Sequence, residues 1–159
     1  MIATSTPATE VRKSRSQAFK KILVAVNRSS SVVSILSTVA KLSTPVTRVK
    51  VLHLQERLTY PSRPGVAIDI ETRRDAIEFA LKAQAELRDL GVDAEISVGR
   101  EVSGREAEQI LMAAYDFGAD LVIAGNHRKS GLDALLTGST TRSVVRKSAI
   151  ALLLVPEVR

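Results

Sequence analysis

A glycine-bounded polar loop near the end of the chain carries residue types that can hold an anion. The short apolar run of residues 121–124 ends at Gly125, and a basic segment then leads to Gly138-Ser139-Thr140. Free backbone N–H groups at a helix start can hold a phosphate, and a glycine permits its close approach. The pattern therefore predicts either a phosphate cradle at Gly138 and Ser139, or an ordinary helix start with Ser139 as N-cap.

Other kinds of site chemistry find little support in the sequence. The absence of cysteine excludes disulfides, thiolate metal sites and cysteine nucleophiles. Asp133 is the only acidic residue between Gly125 and Ser139, whereas efficient phosphoryl transfer normally needs a metal and a positioned base. The two histidines, His53 and His127, do not have the spacing of metal ligands. We predict no catalytic residue and no metal site, and slow hydrolysis of a bound nucleotide is left open.

The elements that must position the loop are read from alternating apolar patterns. Near-continuous apolar runs predict five strands, at residues 21–26, 48–54, 94–98, 121–124 and 149–155. Helical spacing predicts a first helix with Val32, Ile35, Leu36 and Val39 on one face. His53 lies within the second strand, which favours a packed core residue over a ligand.

Three further helices are predicted between the later strands. A long helix over residues 69–90 places Ile77, Ala80 and Leu81 on one face and stops at Gly91. A Ser103–Glu106 capping box predicts the next helix, with a stripe formed by Ala107, Ile110, Leu111 and Ala114 and an end at Gly118. The fourth helix follows the glycine-bounded loop, and the proline-containing residues 56–67 are predicted to be a loop.

Strict alternation of strands and helices predicts a single-domain α/β protein with a parallel, Rossmann-like sheet covered on both faces. Ligands of such sheets lie beyond the carboxyl ends of the strands, where the strand order reverses. If the chain starts in the middle of the sheet, the first and fourth strands flank that crevice. Asn27 and Gly125 would then lie at its mouth.

Composition and charge limit the classes of partner. The 159 residues are 45% apolar and 25% charged, as in ordinary soluble domains, and no apolar run could span a bilayer. Five basic residues among residues 1–21 oppose only Glu10, so the remaining chain carries +2 of the net +6. We predict a disordered basic tail at 1–19, a folded domain at 20–159, a cytoplasmic location, and neither membrane nor nucleic acid as a partner.

Over residues 20–156 the chain resembles the universal stress protein family. The resemblance rests on Ile22–Val26, on Val49–Leu54, and on the segment from Gly118 through Gly138-Ser139 to Pro156. It implies the sheet order 3-2-1-4-5, ATP as ligand with Mg²⁺ as an ion that could accompany it, and a homodimer formed through the C-terminal strand at residues 150–155. Independently, an apolar strand at a sheet edge invites pairing.

Nucleotide-binding members of the family carry Gly, two residues, Gly, nine residues, and then Gly-Ser or Gly-Thr. Gly125, Gly138 and Ser139 match this spacing, but Arg128 replaces the second glycine. Asn27 stands where ATP-binding members typically have aspartate. Arg128 could pair with phosphate through its guanidinium, or hinder the loop because it lacks easy access to positive φ.

Carried over by position, the resemblance implies a nucleotide site of nine residues. The adenosine side would be lined by Ala25, Asn27, Leu54 and Ala124, and the phosphates would meet Gly125, Arg128, Gly138, Ser139 and Thr140. The implied function is that of an ATP-binding stress-response regulator with little or no catalysis. The alternative is a family member that binds no nucleotide and acts through dimerisation and protein interaction.

Overall fold

The computed structural model describes residues 18–28, 32–60, 62–102, 104–126 and 150–156. Strands and helices alternate as far as residue 126, with one short hairpin inserted after the second strand. In chain order the elements are β1 (Lys21–Val26), α1 (Val32–Leu42), β2 (Arg48–Gln55), β3 (Arg57–Thr59), β4 (Ala67–Asp69), α2 (Arg73–Asp89), β5 (Ala94–Arg100), α3 (Glu106–Phe117), β6 (Leu121–Asn126) and β7 (Ala151–Pro156).

Five of the strands form one parallel sheet in the order β5-β2-β1-β6-β7. Counted along these five strands alone, the order is 3-2-1-4-5, so the predicted fold class and topology are confirmed. The order reverses between β1 and β6, where Val24 pairs with Ile123 and Ala25 with Ala124. The first and fourth strands of the sheet are therefore neighbours, as the predicted crevice requires.

The core lies on both faces of the sheet. One face packs against α1 and α2, whose buried residues include Ile35, Leu36 and Leu87. The other face packs against α3, with Ile110 and Leu111 completely or almost completely buried. Burial on both faces explains why the strands read as near-continuous apolar runs. The predicted inner faces of α1 and α3 are confirmed, and α3 ends as predicted at Gly118, whose φ of 70° favours glycine.

The predicted inner face of α2 is confirmed at Ala80 and wrong at its other two residues. Ile77 and Leu81 are 37% and 46% exposed, whereas the buried stripe is formed by Ala76, Ala80, Ala83 and Leu87. Alanines permit close approach to the sheet, and the larger residues one position further on are rotated to the flank. The helix also begins later than predicted, at Arg73, because Thr72 and Asp75 form a capping box there.

Two other local predictions are corrected. The predicted loop at 56–67 contains β3, and β4 runs from the end of that loop to Asp69, where the second helix was predicted to begin. The two strands are antiparallel, and Arg57 forms an ion pair with Asp69 at 2.7 Å. The Ser103–Glu106 capping box is wrong, because α3 begins at Glu106 with Arg105 as an N-cap that makes no side-chain bond. Gln109 supplies polar contacts instead, accepting from Val102 N at 2.8 Å and donating to Arg100 O at 2.7 Å.

Several predictions fall on residues outside the described ranges. They concern most of the basic tail, the fourth helix and the loop after β6. In the parts of the chain that the structure describes, no helix combines the length and apolar character needed to cross a membrane.

Candidate functional site

The carboxyl ends of β1, β2 and β6 bring the described members of the predicted site to one edge of the sheet. Ala25 pairs directly with Ala124 across the β1–β6 boundary, and Leu54 lies near the end of β2. The side chains of Ala25, Leu54 and Ala124 belong to the apolar cluster on the α3 side. Together they form a floor of two small residues and one larger one, which we call the alanine floor.

Two further predicted residues lie at the rim of this floor. Asn27 directly follows β1 and is half-buried, and Gly125 is the penultimate residue of β6 and pairs with Val155 of β7. They occupy the two sides of the position where the strand order reverses, as predicted for the mouth of the crevice.

Leu54 has a fixed partner on the neighbouring strand. It pairs with Gly99 of β5, and a Cβ added to Gly99 would come 2.7 Å from Leu54 Cδ2. The absence of a side chain at Gly99 therefore leaves space for the Leu54 side chain. This dependence was not predicted, because it needs the register of two strands that lie 45 residues apart in sequence.

Four of the nine predicted site residues lie outside the described residues. They are the proposed phosphate contacts Arg128, Gly138, Ser139 and Thr140, and His127 and Asp133 of the same loop lie there as well. The predicted phosphate side of the site therefore stays a prediction.

A buried polar network lies on the opposite side of the same sheet edge. His53 is completely buried, as expected for a core residue, and its Nδ1 lies 2.9 Å from the carbonyl oxygen of Val26. A carbonyl oxygen only accepts, so Nδ1 donates in this contact. The other ring nitrogen, Nε2, lies 2.9 Å from Oε2 of Glu71.

Glu71 is the centre of this network. Its Oε2 accepts from the backbone N–H of Glu56 at 3.0 Å, and its Oε1 accepts from Nε of Arg28 at 2.8 Å. Burial would raise the pKa of Glu71, but the hydrogen bonds from Glu56, His53 and Arg28 outweigh it and lower that pKa. Glu71 is therefore held as a carboxylate although only 5% of its surface is exposed.

Arg28 connects the network to the first turns of α2. Its Nη2 donates to Asp75 O at 3.2 Å, and its guanidinium lies 5.1 Å from the centre of the Phe79 ring. No local pattern in the sequence indicates the Arg28–Glu71 pair, whose members are 43 residues apart. The capping box of Thr72 and Asp75 could have indicated the helix start beside Glu71, but it carries no information about the role of Glu71.

A cavity of about 760 Å³ opens beside this network, on the α1–α2 side of the sheet. Arg28, Ile70, Glu71 and Phe79 are among the residues that line it, and none of the five described members of the predicted nucleotide site does. The cavity and the alanine floor are therefore separate features of the same edge.

A half-buried glutamate, Glu106, lies at the start of α3. Burial, reinforced by the nearby negative charges of Glu101 and Glu56, raises the pKa of Glu106 to about 7. Burial likewise raises the pKa of Glu101. Among the described residues, no group of three or more His, Asp or Glu side chains is arranged to hold a metal ion.

The chain is similar to known proteins over most of its length. The model of the universal stress protein family matches residues 18–156. Universal stress protein MJ0577 of Methanocaldococcus jannaschii is 37% identical over 70 residues, which cover 44% of this chain and 41% of that protein. The match therefore spans less than half the length of that relative.

Solved structures show the same fold at low sequence identity. A universal stress protein in complex with cAMP has a TM-score of 0.58 at 17% identity, with 89% of this chain and all of that chain covered. The universal stress protein from Archaeoglobus fulgidus in complex with dAMP has a TM-score of 0.56 at 20% identity, with coverages of 87% and 98%.

Proposed function

Since the chain belongs to the universal stress protein family, we propose that it is a stress-response regulator that binds an adenine nucleotide, with ATP as its ligand and little or no catalysis. The observation that carries the proposal is the Ala25–Ala124 pair at the point where the strand order reverses. Small side chains at this position would allow a flat ring to approach the sheet.

The adenosine half of the ligand would lie on the alanine floor. Apolar side chains from β1, β2 and β6 suit the faces of a purine ring, and the amide of Asn27 can both donate to and accept from ribose or base. Support comes from relatives of the same fold, since cAMP and dAMP, bound by the two proteins named above, both contain adenine.

The phosphates would meet Gly125, Arg128, Gly138, Ser139 and Thr140. Of these, Gly125 lies at the carboxyl edge beside the floor, which supports a phosphate loop that begins next to the proposed base position. Arg128 would supply the positive charge that balances the phosphates, and Mg²⁺ could accompany them.

We further propose a cytoplasmic homodimer joined through β7. This strand is the last in the sheet order, and its central residues Leu152, Leu153 and Leu154 are half-buried. An apolar strand with one unpaired edge favours pairing with a second copy. Native mass spectrometry of the purified protein would show a dimer mass, and a monomer at micromolar concentration would contradict this part of the proposal.

Nucleotide binding is tested by denaturing the purified protein and chromatographing the released small molecules, together with thermal shift against ATP, ADP and AMP. Ala25→Leu would fill the floor and should weaken ATP binding at least tenfold. Ala40→Leu is the matched control, because Ala40 is a half-buried alanine near the end of α1, on the other face of the sheet. No released nucleotide and no thermal shift would contradict the proposal.

A second candidate function is favoured by Arg128 and Asn27, which depart from the family pattern for ATP binding. In it, the chain binds no nucleotide and acts by dimerisation and protein interaction. Arg128→Gly restores the family spacing and separates the two candidates. Nucleotide binding that appears only in this variant would favour the second function, whereas binding by the wild type supports the first.

A further inference from the structure

The strand-end turn that carries Asn27 is held on both sides by a network of the buried His53 and Glu71 with the partly exposed Arg28. Val26, directly before Asn27, accepts a hydrogen bond from His53 Nδ1 at 2.9 Å. Arg28, directly after Asn27, donates from Nε to Glu71 at 2.8 Å. Since His53 and Glu71 also contact each other at 2.9 Å, the network closes around the turn.

The network is anchored in elements that do not belong to the turn. Glu71 accepts from Glu56 N at 3.0 Å, and its own carbonyl accepts from Nε2 of Gln55 at 2.7 Å. The ring of His53 packs on Phe79 of α2 with 4.7 Å between ring centres. The end of β2 and the start of α2 are thus tied to the turn through His53, Gln55 and Glu71, which are almost completely buried. Arg28 completes the connection with a side chain that is 44% exposed.

From this arrangement we infer that His53 and Glu71 are positioning residues for the nucleotide site. They lie on the α1–α2 side and do not form part of the alanine floor. Their hydrogen bonds fix the backbone at Val26 and the side chain at Arg28, and so set where Asn27 is presented at the mouth of the crevice. The inference rests on the proposed nucleotide function, because it assigns these residues to the same site.

Rigid placement matters because a misplaced hydrogen-bonding group loses much of its contribution to binding. A buried, fully bonded network is well suited to such placement, since its alternatives leave polar groups unpaired in a low-dielectric interior. Within the described residues, every buried side-chain nitrogen and oxygen has a hydrogen-bond partner. The network therefore favours one geometry of the turn.

The test compares variants that disturb the turn with one that disturbs only stability. Glu71→Gln keeps size but removes the charge that pairs with Arg28. Leu87→Ala is the control, because Leu87 is completely buried near the end of α2, away from the carboxyl edge. ATP affinity is measured by calorimetry and the melting temperature by thermal unfolding. We expect Glu71→Gln to weaken ATP binding roughly tenfold, and Leu87→Ala to leave it within twofold at an equal or larger loss of melting temperature.

Two variants at His53 provide the rescue. His53→Asn retains a donor close to the position of Nδ1, whereas His53→Leu keeps similar bulk without a donor. We expect the asparagine variant to bind ATP several-fold more tightly than the leucine variant, although neither contacts the ligand. Equal affinities in these two variants, or equal losses in Glu71→Gln and Leu87→Ala, would overturn the positioning role.

Hydrogen exchange of the unliganded proteins separates this inference from the proposed function. Peptides covering residues 22–28 should exchange faster in Glu71→Gln than in Leu87→Ala. If the wild type binds no adenine nucleotide, the proposed function fails. Faster exchange in Glu71→Gln would then show only that the network holds the turn. Unchanged exchange, with ATP binding intact, overturns the inference alone.

Discussion

Glu71 is a buried carboxylate and Glu106 is a half-buried carboxyl group, and their environments shift their pKa values in opposite directions. Burial would raise the pKa of both, but Glu71 accepts hydrogen bonds from Glu56 N–H, His53 and Arg28, which lower it. Glu106 is surrounded by the charges of Glu101 and Glu56, and its pKa rises to about 7. Burial is the largest single influence on both groups and favours the protonated form, so such a carboxyl group is ionised only where its hydrogen-bond donors together outweigh burial, as at Glu71.

The same contrast distinguishes two regions of the carboxyl edge. On the α1–α2 side, a paired carboxylate fixes the turn after β1. On the α3 side, an apolar floor is formed by Ala25, Ala124 and Leu54, and the carboxyl group of Glu106 lies at the start of α3. One region is held by buried hydrogen bonds, and the other presents apolar side chains, on which we propose that the base of the nucleotide lies.

The largest expected effect comes from breaking the paired region. Glu71→Ala removes the carboxylate and leaves the completely buried His53 without that partner, which should lower the free energy of unfolding by about 3–5 kcal/mol. Urea denaturation measures the change. Glu95→Ala is the control, because its ion pairs with Arg48 and Lys50 are on the surface and should contribute less than about 1 kcal/mol. Equal losses in the two variants would remove the distinction between buried and surface pairs.

A smaller effect is expected from Glu106, the carboxyl group whose pKa is raised. The folded pKa of Glu106 lies above the unfolded value near 4.5, so the folded state binds more protons and stability falls as the pH rises from 4.5 to about 7. Glu106→Gln removes this loss. At pH 8 the variant should be more stable than the wild type by about 1–3 kcal/mol, and the difference should vanish below about pH 4.5.

Urea denaturation across this pH range measures the difference in stability. Glu71→Gln is the comparison in which the effect of pH on stability has the opposite sign. Because the folded pKa of Glu71 is lowered, its contribution to stability is present above pH 4.5 and is lost as the pH falls through its folded pKa. Parallel pH curves for wild type and Glu106→Gln would contradict the shift assigned to Glu106.

The sequence was sufficient where a single local pattern decides the structure. The strands and the inner faces of α1 and α3 follow from apolar periodicity, and alternation determines the parallel sheet. Apolar periodicity led to a wrong prediction at α2, because Ile77 and Leu81 are more apolar than the alanines that pack against the sheet. The hairpin β3–β4 was missed since its three-residue strands are too short to show alternation.

The candidate site was predictable only in part, for a related reason. Ala25, Asn27, Ala124 and Gly125 follow from strand ends and family spacing, and the structure brings them to one edge. The Arg28–Glu71 pair could not be predicted, because nothing near either residue indicates a partner 43 positions away. Long-range pairing of charges depends on the completed fold, whereas the position of a strand end depends on local sequence.

The smallest expected change in stability comes from Gly99→Ala, which tests the contribution of Leu54 to the alanine floor. An added methyl group would lie 2.7 Å from Leu54 Cδ2, the far end of a flexible side chain that can move, so Gly99→Ala should lower stability by only about 1 kcal/mol. The displaced Leu54 should nevertheless change ATP affinity several-fold, because it forms part of the proposed floor. Calorimetry with ATP and thermal unfolding measure the two effects.

Gly91→Ala is the matched control for this variant. Its φ of 84° makes alanine unfavourable by about 1 kcal/mol, but an added Cβ would have no neighbour within 4 Å, and the residue lies beyond the end of α2. The two variants should therefore lose similar stability, and only Gly99→Ala should alter nucleotide affinity. If ATP binding is the same in both, Leu54 does not contact the base, and the floor would be reduced to the paired alanines of β1 and β6.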